Sequence, residues 1–174
     1  FRGVQLLLAP VNGSLYLAVI ITATIFAAAT GIVGSSVTLL GVMAAPAMMK
    51  SGYDVRMSAG SITAGGTLGI LIPPSVMLIV MGPVVGVPAT DLFAAAIFPG
   101  LLLSGLFIVY TLARSYWNPK LGPALPLSER RPMPEVIREL VLGAVPVVLV
   151  ILATLGVILA GIATPTDAGA VGAF

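Results

Sequence analysis

Charged residues divide the chain into long apolar stretches. No formal charge occurs from Gly3 to Met49, from Met57 to Thr90, from Leu92 to Ala113 or from Leu140 to Thr166. Stretches of this length and character are membrane segments, because a crossing helix needs about 20 mostly apolar residues. Between them lie Lys50, Asp54 and Arg56, then Asp91 alone, then Arg114 to Glu139, which holds Arg114, Lys120, Arg130, Arg131 and Arg138. Basic loops stay on the cytoplasmic side, which places the two loops with Arg and Lys inside and Asp91 outside. The chain then crosses outward over Met57 to Gly86, returns over Leu92 to Ala113, and leaves again after Leu140.

Two of these stretches have the wrong length for a simple span. Leu15 to Lys50 is 36 residues, or about 54 Å as one helix against about 30 Å of hydrocarbon, yet it is too short for two spans and a turn. A re-entrant hairpin resolves this: a helix from about Leu15 to Ala29, a tip at Thr30 to Ser36, and a helix from about Val37 to Met49, each arm reaching part-way across. Gly31 and Gly34 permit the turn, while Ser35 and Ser36 add hydroxyl oxygens and can cap the second helix. Backbone exposed at such depth is tolerated only inside protein or along a wet cavity.

Met57 to Gly86 is 30 residues and is interrupted by Gly65-Gly66-Thr67-Leu68-Gly69-Ile70-Leu71-Ile72-Pro73-Pro74-Ser75. Paired prolines remove two amide donors, so carbonyls from about Thr67 to Ile72 are expected to be free. Pro83, Gly86 and Pro88 end the segment. Two successive breaks suggest half of an inverted-repeat secondary transporter, in which unwound carbonyls and half-helix ends form the ion site. Oxygens of this kind bind a hard cation such as sodium without a carboxylate; the alternatives are that the small residues of the tip only let helices pack closely and that the prolines only kink a membrane helix.

Composition narrows the chemistry. At 59% hydrophobic and 8% charged, the chain is far from soluble domains, which carry about 25% charged residues. Its 8 basic and 6 acidic residues cannot build a nucleic-acid face. With neither Cys nor His in the chain, disulfides, thiolate chemistry, zinc sites and a histidine base are excluded. A Ser/Lys enzyme is the weakest reading, because Lys50 sits at the hairpin base away from Ser35. A channel favours polar lines along whole helices, not two isolated breaks. The loop from Ser115 to Pro134 is rich in Pro and reads as a wet linker, with Tyr116 and Trp117 beside it as an interfacial aromatic belt. Thr164-Pro165-Thr166-Asp167 reads as a helix start, with a Thr cap and an acid near the positive end; a cation or proton ligand is the other reading of Asp167.

The run Ala29-Thr-Gly-Ile-Val-Gly-Ser-Ser-Val37, followed by Ala45-Pro-Ala-Met-Met-Lys-Ser-Gly-Tyr-Asp54 and by Ala64-Gly-Gly-Thr-Leu-Gly-Ile-Leu-Ile-Pro-Pro-Ser75, resembles the large membrane subunit of tripartite ATP-independent periplasmic (TRAP) transporters, the DctM type. Phe98-Pro-Gly-Leu-Leu-Leu-Ser104 and Gly161-Ile-Ala-Thr-Pro-Thr-Asp-Ala168 extend the likeness over nearly the whole chain, Asp167 standing where the family more often has Glu. The start at Arg2 and the Gly-Val-Met-Ala-Ala-Pro variant are most similar to the mannitol/chloroaromatic-type subgroup. The resemblance implies an all-α polytopic protein of the bacterial inner membrane and a sodium-driven, elevator-type importer of a small organic acid. It also implies a small membrane subunit and a periplasmic binding protein as partners, with no enzyme activity. The competing expectation is a non-transporting scaffold or channel subunit of another membrane complex.

By position, the resemblance implies a sodium site and one wall of the substrate site at Gly34, Ser35, Ser36, Thr67, Gly69 and Pro73. It makes the chain a piece of a longer protein. Residues 1–113 would end a first repeat, with the hairpin at about 15–50, a broken helix at about 57–86 and a transmembrane helix at about 90–113; 114–139 would be a cytoplasmic linker and 140–174 would start a second repeat. The second hairpin and its sodium site would lie beyond Phe174.

Overall fold

A computed structural model describes residues 2–8, 10–124, 132–162, 164 and 167. The described elements are helices: α1 (Arg2–Leu7), α2 (Ser14–Thr30), α3 (Val33–Lys50), α4 (Val55–Leu71), α5 (Val76–Val85), α6 (Ala89–Trp117) and α7 (Met133–Leu159). The chain is therefore an all-α membrane protein. α3, α6 and residues Pro134–Leu159 of α7 are each long and apolar enough to cross a bilayer, and α4 with α5, bent by 43°, makes a fourth candidate.

α2 and α3 form an antiparallel hairpin. Leu15, Tyr16 and Val19 from the start of α2 share one buried cluster with Ala44 and Met48 from the end of α3. The tip is tighter than the seven residues expected. Only Gly31 and Ile32 are non-helical, so Gly34, Ser35 and Ser36 belong to the first turn of α3. Gly31, with φ +62°, reverses the chain alone; Gly34 has an ordinary helical backbone. The short turn leaves α2 and α3 about 25 and 27 Å long, so α3 by itself has the length of a span. Length is therefore not what makes this segment a hairpin; the left-handed glycine is.

α4 lies in the groove between the hairpin arms. At Gly66 a Cβ would lie 3.1 Å from the backbone N and Cα of Val37, so only a bare backbone lets α4 approach α3 this closely. Thr63 and Thr67, on other faces, are exposed. α6 runs beside α2, where Thr24 and Ser104 share a 2.7 Å hydroxyl bond, and meets the end of α4 through Gly100 and Ile72. α7 packs on α1 at Gly3 and Leu140, and its Ile158 is buried against Phe93 of α6.

The base of the hairpin is tied to the chain that follows α6. The Gly13 amide donates to the Gly122 carbonyl at 2.9 Å and the Asp54 amide to the Leu121 carbonyl at 3.0 Å. Lys50, Arg56, Arg114 and Lys120 consequently lie at one end of the molecule, while Asp91 lies at the far end of the 29-residue α6, about 35 Å from Arg114 along the helix axis. Helix also runs further into the linker than the charge pattern suggested. α6 continues to Trp117 and α7 starts at Met133, because helix ends carry their charged and aromatic residues with them through the interface. Residues 125–131, including Arg130 and Arg131, lie outside the described residues.

Candidate functional site

The two breaks meet. At Gly31 a Cβ would collide with the Pro74 carbonyl oxygen and lie 3.3 Å from Ser75 Cα, and at Gly69 it would lie 3.5 Å from the Ile32 backbone. The hairpin tip is thus seated on the α4–α5 break. Helix α4 holds its hydrogen bonds up to Ile72, whose amide donates to the Leu68 carbonyl at 2.8 Å. The break is Ile72 to Ser75, narrower than the expected Thr67 to Ile72. Thr67 and Gly69 are helical, not unwound. The carbonyls that lose their donors are those of Gly69 and Ile70, whose partners four residues on are Pro73 and Pro74.

The six expected site residues divide into two groups. Ser36, Gly69 and Pro73 are buried at the junction. Ser36 Oγ donates to the Ile32 carbonyl at 2.9 Å and lies 3.2 Å from Thr30 Oγ1. Gly34, Ser35 and Thr67 are exposed. Ser35 Oγ donates to the Ile32 carbonyl at 3.1 Å and Thr67 Oγ1 to the Ala64 carbonyl at 2.7 Å. These two hydroxyls keep their lone pairs free, facing away from the buried part of the junction. Neither serine caps α3: its N-cap is Ile32, with no side-chain bond.

Ser75 is a further polar group of the junction, outside the six expected site residues. It is fully buried, it occupies the N-cap of α5 without making a capping bond, and its Oγ has no partner. A serine directly after a proline pair, before an apolar helical run, was the available signal. Thr30, bonded through Oγ1 to the Phe26 carbonyl at 3.0 Å, is a second polar group at the tip that was left out.

The electrostatics of the junction come from helix ends. The N-termini of α3 and α5 enter it with no acid in the first turn and no side-chain cap. Three other helices have an acid at their start, Asp54 capping α4 and Asp91 and Glu135 in the first turns of α6 and α7, while α1 and α2 have none. A helix N-terminus carries about half a positive charge and its amides bind anions. The α4 C-terminus supplies carbonyl oxygens, which suit a cation. Among the described residues no group of three or more Asp, Glu, His or Cys could hold a metal ion, so any cation here would be held by uncharged oxygens. Thr164 and Asp167 form the expected helix-start motif. Thr164 Oγ1 donates to Asp167 Oδ2 at 2.6 Å, and the Asp167 amide donates back to Thr164 Oγ1 at 3.3 Å; Pro165 and Thr166 lie outside the described residues.

The chain is similar to known proteins along nearly its whole length. The family described as "Tripartite ATP-independent periplasmic transporter, DctM component" matches residues 2–174. The C4-dicarboxylate TRAP transporter large permease protein of Rhodobacter capsulatus is 35% identical over 93% of the chain and 39% of its own length, and that of Pseudomonas aeruginosa is 34% identical over 94% and 37%. The 2,3-diketo-L-gulonate TRAP transporter large permease protein of Escherichia coli is 30% identical over 89% and 35%. The chain thus spans well under half the length of these relatives. A hairpin tip seated on a proline break, and a family match over residues 2–174, make this chain a member of the DctM family of TRAP transporter large permeases.

Proposed function

We propose that the junction is one half of a translocation site, with a small organic acid as cargo and sodium as the co-transported ion. The complete protein is then the large subunit of a symporter, partnered by a small membrane subunit and supplied by a periplasmic binding protein. The observation that carries this reading is the meeting of uncapped helix ends at Gly31–Ile32 and Pro73–Ser75. Two positive N-termini, α3 and α5, favour a carboxylate. The donor-less carbonyls of Gly69 and Ile70, with the hydroxyls of Ser36 and Ser75, favour a hard cation held moderately and released each cycle. In this reading Ser35, Thr67 and Gly34 border the path and Pro73 keeps the carbonyls free.

Large permeases named for a C4-dicarboxylate and for 2,3-diketo-L-gulonate among the relatives support an organic anion as cargo. The common end of Lys50, Arg56 and Arg114 supports a cytoplasmic hairpin base and a re-entrant tip. A rigid hairpin on α4 suits a body that moves as a unit, as an elevator requires. The test is sodium-dependent uptake by proteoliposomes holding the complete transporter and its binding protein. Ser36→Ala and Ser75→Ala should raise the half-saturating sodium concentration. No sodium dependence, or uptake that is unchanged in both variants, overturns the reading in favour of a scaffold role for the junction.

A further inference from the structure

At the basic end of the molecule α4 and α6 diverge, leaving a crevice of about 560 Å³. It is separate from the junction: Gly60 on its wall lies nine residues before Gly69, about 13 Å along α4. Its mouth carries Arg56 from the first turn of α4 and Arg114 from the last turn of α6. Both are exposed, and neither has an ion pair or hydrogen bond among the described residues. Asp54, the acid on the rim, has Oδ1 engaged by the Met57 amide at 2.8 Å. Below the mouth the walls are mainly apolar, with Gly60 and Ala64 on α4, Phe107 on α6 and the buried Ile20; the hydroxyls of Ser61 and Thr111 on the same walls donate to carbonyls of their own helices.

Depth identifies what such a crevice meets. α6 has 29 residues, about 43 Å against a hydrocarbon core of about 30 Å, so its last turns project into the headgroup layer. Tyr116 and Trp117, 80% and 81% exposed, mark that layer on the same turn as Arg114. Phe107 lies two turns deeper, about 10 Å along the helix, among acyl chains.

We propose that this crevice binds one anionic phospholipid, its phosphate between Arg56 and Arg114 and an acyl chain along Gly60 and Phe107. A free phosphate would satisfy only the mouth and leave the apolar walls empty. A zwitterionic lipid brings its own cation to a mouth whose two arginines already outnumber its one acid, Asp54. An anionic phospholipid matches both halves of the crevice, and unpaired basic groups at the headgroup level are what recognise it.

The test uses the complete transporter in nanodiscs of equal phosphatidylglycerol and phosphatidylcholine, with retained lipid counted by native mass spectrometry. The wild type should hold phosphatidylglycerol in preference. Arg56→Gln and Arg114→Gln should each lower that preference about fivefold, which converts from about 1 kcal/mol per basic side chain near a membrane surface. Arg56→Lys should keep it, separating charge from loss of fold. Gly60→Leu changes no charge and enters open space, since nothing lies within 4 Å of a Cβ there; it should reduce retained lipid of both kinds. Arg138→Gln, on the exposed start of α7, should change nothing. The proposal fails if Arg138→Gln matches Arg56→Gln, if Gly60→Leu has no effect, or if millimolar inorganic phosphate displaces the lipid.

Discussion

The two ends of the α2–α3 hairpin are built on opposite principles. At the base most polar groups are used within the chain. Tyr53 Oη bonds Ser14 Oγ at 3.3 Å and accepts from the Leu15 amide at 3.2 Å; Tyr16 Oη donates to the Leu121 carbonyl at 2.6 Å; Asp54 caps α4. The two tyrosine rings pack edge to face at 4.9 Å. At the tip the N-termini of α3 and α5 are uncapped, two carbonyls face prolines, and the Ser75 hydroxyl is alone. Bare helix ends cost stability, so a chain that caps α4 and cross-ties its loops at the base and leaves the starts of α3 and α5 uncapped at the tip is stable at its base and receptive at its tip. Hydroxyls do not follow the same division: Ser58 Oγ, beside the Tyr16 hydroxyl, and Ser115 Oγ are buried near the base without a hydrogen bond, as Ser75 Oγ is at the tip.

The strongest attack on this comparison is Gly31→Val. A side chain at φ +62° would be strained by about 1–3 kcal/mol, and its Cβ would collide with the Pro74 carbonyl. Uptake by the complete transporter should be abolished; retained uptake would show that the tip need not seat on the break. Tyr53→Phe comes next. It leaves the Leu15 amide and Ser14 hydroxyl without their partner, a loss of about 1–3 kcal/mol that thermal unfolding should register, while the half-saturating sodium concentration stays put. A shift in that concentration would mean that base and tip are one functional unit.

Asp54→Ala removes one helix cap and should cost about 1 kcal/mol, again without altering sodium dependence. Ser75→Ala should have the smallest effect on unfolding, within about 0.5 kcal/mol, because the lost hydroxyl has no bond to give up. It should nonetheless raise the half-saturating sodium concentration severalfold. If Ser75→Ala instead destabilises as much as Asp54→Ala, the hydroxyl is bonded within the folded chain, and the contrast between the two ends is lost.

Much of this was readable before the structure. Charge-free stretches mark the membrane segments, Pro73-Pro74 marks the interrupted helix, and Gly31 and Gly34 together mark the reversal, of which only Gly31 is used, since each rests on a local property: hydrophobicity, a missing amide donor, a permitted φ. The make-up of the junction was only half legible. Gly34, Ser35 and Thr67 have the right composition and stand in the right motifs, but a residue type does not state which way it faces, and all three are exposed. Ser75 was missed because an unpaired hydroxyl is a property of its surroundings. The linker was drawn too long because helix α6 carries Arg114, Tyr116 and Trp117 through the interface instead of ending before them.

By itself the sequence determined that the chain is helical, membrane-embedded and broken at two places, because helix period, span length and proline chemistry act over a few neighbouring residues. Only the tertiary structure decided that the breaks coincide. Gly66 must lie against Val37 and Gly69 against Ile32 for α4 to sink between the hairpin arms, and that depth of approach brings Gly31 onto Pro74 and closes the junction around Ser36 and Ser75. Contacts between residues 29 to 43 positions apart in the chain follow from packing, and no local pattern encodes them.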